Sequence, residues 1–276
     1  MPLGAQCGDP PLVSIITRTC SGRSLYLRQA ILSVAHQTYP RIEHIIVEDG
    51  GESQRTMAET MSSVTHRDIV FIGLTKVGPS TAGNAGLSAA NGRWCLFLDD
   101  DDLLFADHVE LLVDALLRNP SAAAAYSLAW QVVTDAAKLI EDKYLEVSHY
   151  VPAVMRQTFD RDVLLHHNFL AIQSVIFERR LFLERGGFDA DMDALEDWVL
   201  WMRYSQGNFF IYVPKVTSMY RTPSDPQTGR LRQAAFDAAY PLARARVAAR
   251  HKGHPEAALA VHQGLTKTQT KESNGH

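Results

Sequence analysis

Four consecutive carboxylates, Asp99-Asp100-Asp101-Asp102, close the apolar run Trp94-Cys95-Leu96-Phe97-Leu98. Such a run, with a glycine just upstream and charges just downstream, reads as a buried strand. In open α/β sheets, ligands sit beyond the carboxyl ends of the strands. The cluster therefore stands where such a fold does its chemistry. Four close anions stay ionised together only beside a compensating cation. Carboxylate oxygens suit Mg2+ or Mn2+, which take one or two protein carboxylates and complete their shell with water and substrate phosphates. The sharp reading is a metal–diphosphate site. The competing one is a solvated acidic loop that favours the N-terminus of the next helix.

The elements around this cluster alternate. Strands are expected at Leu12–Thr17, Ile42–Val47, Ile69–Ile72 and Arg93–Leu98. Between them run a helix with Leu25, Leu27, Ala30, Ile31 and Val34 on one face, a helix over about 53–64, and a small-residue helix from Ser80 to Asn91. This β-α alternation predicts a parallel sheet with helices on both faces. Thr17-Arg18, Glu48-Asp49 and Asp99–Asp102 then end three strands at one sheet edge. There they can meet a base, ribose hydroxyls and a metal together. Further on, helices are expected at Asp107–Leu117, capped by Asp107 with Glu110, at 160–166, at 180–185, and at 194–205, capped by Asp193 with Glu196. Leu195, Trp198, Val199 and Met202 form the core face of the last of these. Strands are expected at 122–128, at 131–134 and 138–140 as a hairpin, at 174–177, 209–213 and 216–220. Residues 142–160 are poorly patterned and read as a surface excursion.

Composition narrows the class. The chain has 276 residues and a formal net charge of −4, so nothing global points to nucleic acid. Cys7, Cys20 and Cys95 are too few and too scattered for a disulfide framework or a cysteine zinc site, which favours a reducing compartment. No apolar run approaches the ~20 residues of a membrane span, and Met1 to Pro11 lacks the pattern of a secretory signal. Four basic residues, Arg244, Arg246, Arg250 and Lys252, mark a late Ala/Arg-rich helix over 228–260. A solvated face is the plainer reading, with anionic lipid as the alternative. The helix is also a candidate dimer element.

The order Val13-Ser14-Ile15-Ile16-Thr17, Gln37-Thr38-Tyr39-Pro40, Ile46-Val47-Glu48-Asp49-Gly50, Asn84-Ala85-Gly86-Leu87, Ala90-Asn91-Gly92 and Leu98-Asp99-Asp100-Asp101-Asp102 resembles family 2 glycosyltransferases with the GT-A fold. Gly186-Gly187-Phe188-Asp189 and Glu196-Asp197-Trp198-Val199-Leu200-Trp201-Met202-Arg203 resemble that family's acceptor-side motifs. The resemblance implies a mostly parallel α/β sheet flanked by helices, with an acceptor-side β-hairpin and C-terminal helices. It divides the chain into a lead-in (1–10), a GT-A domain (11–225, nucleotide half 11–102 and acceptor half 103–225), a helical extension (226–265) and a tail (266–276).

The same resemblance implies an inverting, metal-dependent transfer of a sugar from a nucleoside diphosphate, UDP foremost, to a glycan or lipid-linked acceptor. Surface-polysaccharide assembly, in the cytoplasm or at the cytoplasmic membrane face, is the setting it implies. Thr17 and Arg18 would line the nucleotide pocket, and Asp49 would bind the base with Glu48 beside it. Asn84 belongs to the same set. Asp99 and Asp101 match the D-x-D motif, Asp99 toward the ribose and Asp101 on the metal, with Asp100 flanking. Arg221 would close over the diphosphate. Asp197 matches the catalytic base, with Glu196 and Trp201 on the acceptor side. Core packing is the plainer role for Trp201. Gly83 stands where many relatives carry Arg, so that a diphosphate or base contact is either lost or supplied by Arg18 or Lys76. A sugar-phosphate nucleotidylyltransferase would need a Gly- and Arg-rich loop after the first strand, which 17–22 does not supply. A non-catalytic nucleotide-sugar binder is disfavoured by the retained Asp99, Asp101 and Asp197. Position in the first turn of a helix favours the ionised form of Asp197, as a base requires.

Overall fold

The computed structural model describes residues 9–140 and 143–252. Cys7, the lead-in to residue 8 and everything from residue 253 on lie outside the described residues. The first half alternates as the sequence predicts: β1 Val13–Thr19, α1 Ser24–Ala35, β2 Ile42–Asp49, α2 Arg55–Thr65, β3 Ile69–Leu74, α3 Pro79–Ala89 and β4 Trp94–Asp99. These strands pair in parallel in the order β3-β2-β1-β4. Every position of β1 is buried, as a strand covered on both faces requires. Helix α1 turns Leu27, Ala30, Ile31 and Val34 inward. Helix α3 lies close on the sheet because Gly86 has no side chain: a Cβ there would stand 2.3 Å from Ile16 Cγ2.

The second half comprises β5 Leu103–Leu104, α4 His108–Arg118, β6 Ala124–Ile140, β7 Lys143–Tyr150, α5 Arg161–His166, β8 Val175–Glu178, α6 Arg180–Arg185, α7 Glu196–Tyr204, β9 Phe210–Pro223 and α8 Pro226–Lys252. Among the described residues these strands extend one sheet in the order β3-β2-β1-β4-β8-β6-β9-β5, with β7 on β6. Strand β8 runs antiparallel to both β4 and β6, and β9 runs parallel to β6. Two segments are thereby brought to the edge where β4 ends: the lead-in to β8, and the end of β9 carrying Tyr220 and Arg221.

Several local expectations need correction. Residues 124–140 are one strand, and its hairpin partner is 143–150, within the stretch read as an excursion. The 209–213 and 216–220 strands are likewise one continuous β9. Neither capping box forms. Asp107 gives its N-terminal turn no side-chain bond and pairs with Lys215, while Glu110 accepts from Thr38 at 2.5 Å. Helix α7 starts after Leu195 at φ +60°, and Glu196 turns to Arg18 instead. Trp198, Val199, Leu200, Trp201, Met202 and Tyr204 are all buried, so α7 is apolar on almost every side and sits within the core. On α8, Arg246 pairs with Asp189 and Asp191, and Arg244 donates to the Leu165 carbonyl. Those two arginines are spent within the domain and do not belong to an open basic face.

Candidate active site

A cleft opens along the edge where β1, β2 and β4 end. It has a compartment of about 230 Å³ lined by Arg18, Thr19, Asp49, Lys76, Asp99 and Asp101. A larger one of about 460 Å³ is lined by Asn168, Gln173, Glu196, Asp197, Arg221 and Arg232. Arg18, Pro79, Asp99 and Asp101 border both. Arg18 stands at the junction. Its guanidinium grips Asp99 through two bonds of 2.7 and 2.8 Å and reaches Glu196 at 2.9 Å. The ring of Phe188 supports it at 5.4 Å. A Cβ on Gly83 would strike that ring at 2.6 Å, which explains why the chain has no larger residue there.

The four aspartates divide by alternation. Asp99 and Asp101 keep 31% and 36% of their side-chain surface open, whereas Asp100 and Asp102 are buried. Asp100 accepts from Thr19 at 2.6 Å and from Arg23 at 2.8 Å. Burial pushes its carboxyl up to about 6 against the pull of Arg23. Burial, with Asp101 and Asp99 beside it, also holds Asp102 well above the usual carboxylate range. Arg221 donates to the Asp101 carbonyl and, at 2.8 Å, to Gln29. The cation that the cluster needs is thus supplied here by Arg18 and Arg23. Among the described residues no three His, Cys, Asp or Glu side chains converge as a closed metal cage. Mg2+ and Mn2+ do not need one, because they keep water and phosphate in their shell. Asp99 and Asp101 fit such an ion: both are hard-oxygen donors partly open to the cleft.

At the far end of the small compartment, Asp49 takes Lys76 at 2.5 Å and the N–H groups of Val77 and Gly78 at 2.7 and 3.3 Å. Burial works against ionisation there, but Lys76 and these N–H groups prevail and hold the carboxyl below its usual range.

Across the larger compartment, Asp197 is partly buried in the first turn of α7. Its Oδ1 accepts the Trp198 N–H at 2.7 Å and its Oδ2 accepts Asn168 Nδ2 at 2.9 Å. Enclosure in the cleft wall pushes its carboxyl up to about 7, and the adjacent Glu196 adds to the effect. The dipole of the helix N-terminus, which favours the ionised form, acts in the opposite direction and is outweighed.

The cleft brings together Arg18, Asp49, Asp99, Asp100, Asp101, Glu196, Asp197 and Arg221. Four expected site residues lie elsewhere. Thr17 is fully buried with its hydroxyl on His44 at 2.8 Å; Thr19, two residues on, reaches the cleft in its place. Glu48 points to the opposite face from Asp49 and accepts from Ser53 and the Gln54 N–H at the start of α2. Asn84 clamps the backbone of Phe188, donating at 3.0 Å and accepting at 2.7 Å. Trp201 is completely buried against Phe177 and Tyr204, so it cannot face an acceptor. Arg23, Asn168, Gln173 and Arg232 line or brace the cleft, and none of them stands out from sequence as a site residue. Only Arg23, close behind the first strand of an acid-rich edge, carries a signal: the demand for a countercharge.

The model of the family described as "Glycosyl transferase family 2" matches residues 14–175. An uncharacterized glycosyltransferase of Haemophilus influenzae is 35% identical over 112 residues, 40% of this chain and 44% of that protein. Glycosyltransferase GlyA of Streptococcus pneumoniae is 25% identical over 200 residues, 71% of this chain and 28% of that protein. The chain thus spans less than half the length of these two relatives. Among solved structures, S. aureus TarS 1–349 in complex with UDP superposes with a TM-score of 0.63 at 16% identity, covering 89% of this chain and 67% of that one. Mannosyltransferase PcManGT from Pyrobaculum calidifontis, solved with GDP-Man and Mn2+, gives 0.61 at 18% identity over 95% and 81%. At such identities the likeness establishes the fold, which is the GT-A fold expected from the sequence.

Proposed function

The chain belongs to glycosyl transferase family 2, and we propose that at this cleft it moves a sugar from a nucleoside diphosphate, a UDP-sugar foremost, to an acceptor hydroxyl. The small compartment takes the nucleotide, with Asp49 toward the base and Asp99 toward the ribose. Residues 11–102 form the donor half and 103–225 the acceptor half. Asp101 and Asp99 would hold Mn2+ or Mg2+, whose chemistry when bound is Lewis-acid stabilisation of the leaving diphosphate. Arg221, seated beside Asp101, adds positive charge where negative charge develops.

Asp197 faces the larger compartment and accepts the acceptor's proton as its oxygen attacks the anomeric carbon. One bond forms, the bond to the diphosphate breaks, and direct displacement inverts the carbon. With its carboxyl pushed up to about 7, the base gains its charge around neutral pH. The observation that carries the reading is the placement of Asp197 across a cleft bordered by Asp99 and Asp101. Assembly of a surface polysaccharide is the setting we propose, as the family resemblance of the sequence implies. The proposal is tested by thermal shift with UDP, GDP, CDP and dTDP, each with Mn2+ and with EDTA. One nucleotide is expected to raise the midpoint in a metal-dependent way. No shift with any of them would overturn the donor-site assignment.

A further inference from the structure

Asn168 lies between α5 and the 3₁₀ turn Ile172–Ser174 that leads into β8. Its amide cannot be turned over. The Leu170 N–H donates to its Oδ1 at 3.1 Å, which directs the Nδ2 group at Asp197 Oδ2, 2.9 Å away. A flipped amide would set N–H against N–H and carbonyl against carboxylate. The loop itself is pinned: Phe169 and Leu170, the next two residues, are buried, and Trp198 Nε1 donates to the Leu164 carbonyl at 2.6 Å. Each Asp197 oxygen thus takes one donor, from the Trp198 N–H and from Asn168. Lone pairs remain on both oxygens for a substrate hydroxyl.

We infer that Asn168 is the positioning residue of the base, fixing the Asp197 carboxylate in its ionised form and in its orientation toward the acceptor compartment. The inference rests on the proposed role of Asp197. Charged groups facing Asp197 are Glu196 on its own helix and Arg18 from β1. Asp99, Asp101, Asp102, Asp193, Tyr220, Arg221 and Arg232 line the same compartment. Among these partners Asn168 is a neutral donor aimed at one carboxylate oxygen. A donor to the charged form favours that form, and its removal favours the protonated one.

The test uses Asn168→Asp, which keeps the acceptor for the Leu170 N–H and removes the donor to Asp197. The near-isosteric Asn168→Leu serves as a second variant without added charge. Asp197 is titrated by carboxyl carbon NMR, its signal identified by its absence in Asp197→Asn. UDP release from UDP-GlcNAc with Mn2+, with water as acceptor, is followed against pH in the same proteins. Asn168→Leu is expected to raise the Asp197 midpoint by about one pH unit, and Asn168→Asp, which sets a second carboxylate against Asp197, by more. The acidic limb of turnover moves with it, slowing turnover at pH 7 about fivefold. The alkaline plateau falls as well, because the unbraced carboxylate loses its orientation, while the UDP-induced thermal shift stays as in the native chain. An unmoved midpoint, or a rate loss equal at every pH, would overturn the inference. If Asp197→Asn itself still turns over, the base assignment fails. If Asp197→Asn is inert while Asn168→Asp keeps the native profile, only the Asn168 role fails.

Discussion

Replacing Asp197 by Asn is expected to stabilise the fold above neutral pH while removing activity. The carboxyl is held near 7 in the folded chain against an ordinary value of 3.8. A group raised by folding takes up its proton more readily in the folded state. Its contribution is therefore fully favourable below about pH 4, where both states are protonated, and is lost as pH rises to about 7. A rise from 3.8 to about 7 sets a ceiling of ~4 kcal/mol on that loss. Asp197 is only partly buried and touches the water of the cleft, which screens the penalty to ~3 kcal/mol. Asn offers one acceptor to the two donors, Trp198 N–H and Asn168 Nδ2, and the mismatch returns ~1 kcal/mol. The variant should therefore gain ~2 kcal/mol at pH 8, or about 4–8 °C in midpoint for a chain of this size. Thermal and urea melts of both proteins from pH 4 to pH 8.5 measure the difference. It should open between pH 4 and pH 7 and then level off. A gap independent of pH, or a variant less stable than the native chain at pH 8, would refute the reasoning.

Three further outcomes follow from the geometry. Arg18→Met removes the cation shared by Asp99 and Glu196 and should cost ~3–5 kcal/mol in urea denaturation; Mn2+ at Asp99 should recover part of it, and a loss insensitive to Mn2+ would count against a metal there. Trp201→Ala should cost ~3–5 kcal/mol yet leave the KM for donor and acceptor unchanged, because the indole is buried away from the cleft; a KM effect in the milder Trp201→Phe would contradict this. Gly83→Ala drives a Cβ to within 2.6 Å of the Phe188 ring, so ~1–3 kcal/mol of overpacking should outweigh the ~1 kcal/mol gained in helix propensity. UDP binding should weaken with it, because Phe188 seats Arg18.

What is legible in the sequence is what short-range pattern encodes. β1, β2 and β4 announce themselves as apolar runs, and their carboxyl ends can be assigned to one edge because the β-α alternation forces a parallel sheet. The acids that end the strands are legible as a set but not individually. Pleating sends Glu48 and Asp49 to opposite faces, and the turn that follows β4 leaves Asp99 and Asp101 partly open while burying Asp100 and Asp102. Thr17 and Thr19 differ only in how far the strand runs, and the end of β1 falls two residues beyond the apolar run. The hairpin is hidden because β7 is almost wholly exposed and shows no alternation, while polar residues in β6 mimic a turn. Asn84 and Asn168 act through contacts to residues far along the chain, and no local pattern reports these. Glu196 reads as a cap because its spacing fits one; a long-range ion pair with Arg18 wins over the local bond.

If Asp197 acts on a donor held by the opposite wall of the same cleft, binding and turnover must separate in one variant. UDP-GlcNAc binding by calorimetry and UDP release are measured side by side, with Mn2+, for the native chain and Asp197→Asn. Loss of a general base costs about 10²–10⁴ in rate, so a native Kd is expected with turnover at least about a hundredfold slower. A variant that turns over like the native chain, or that loses binding along with turnover, would contradict the role given to Asp197.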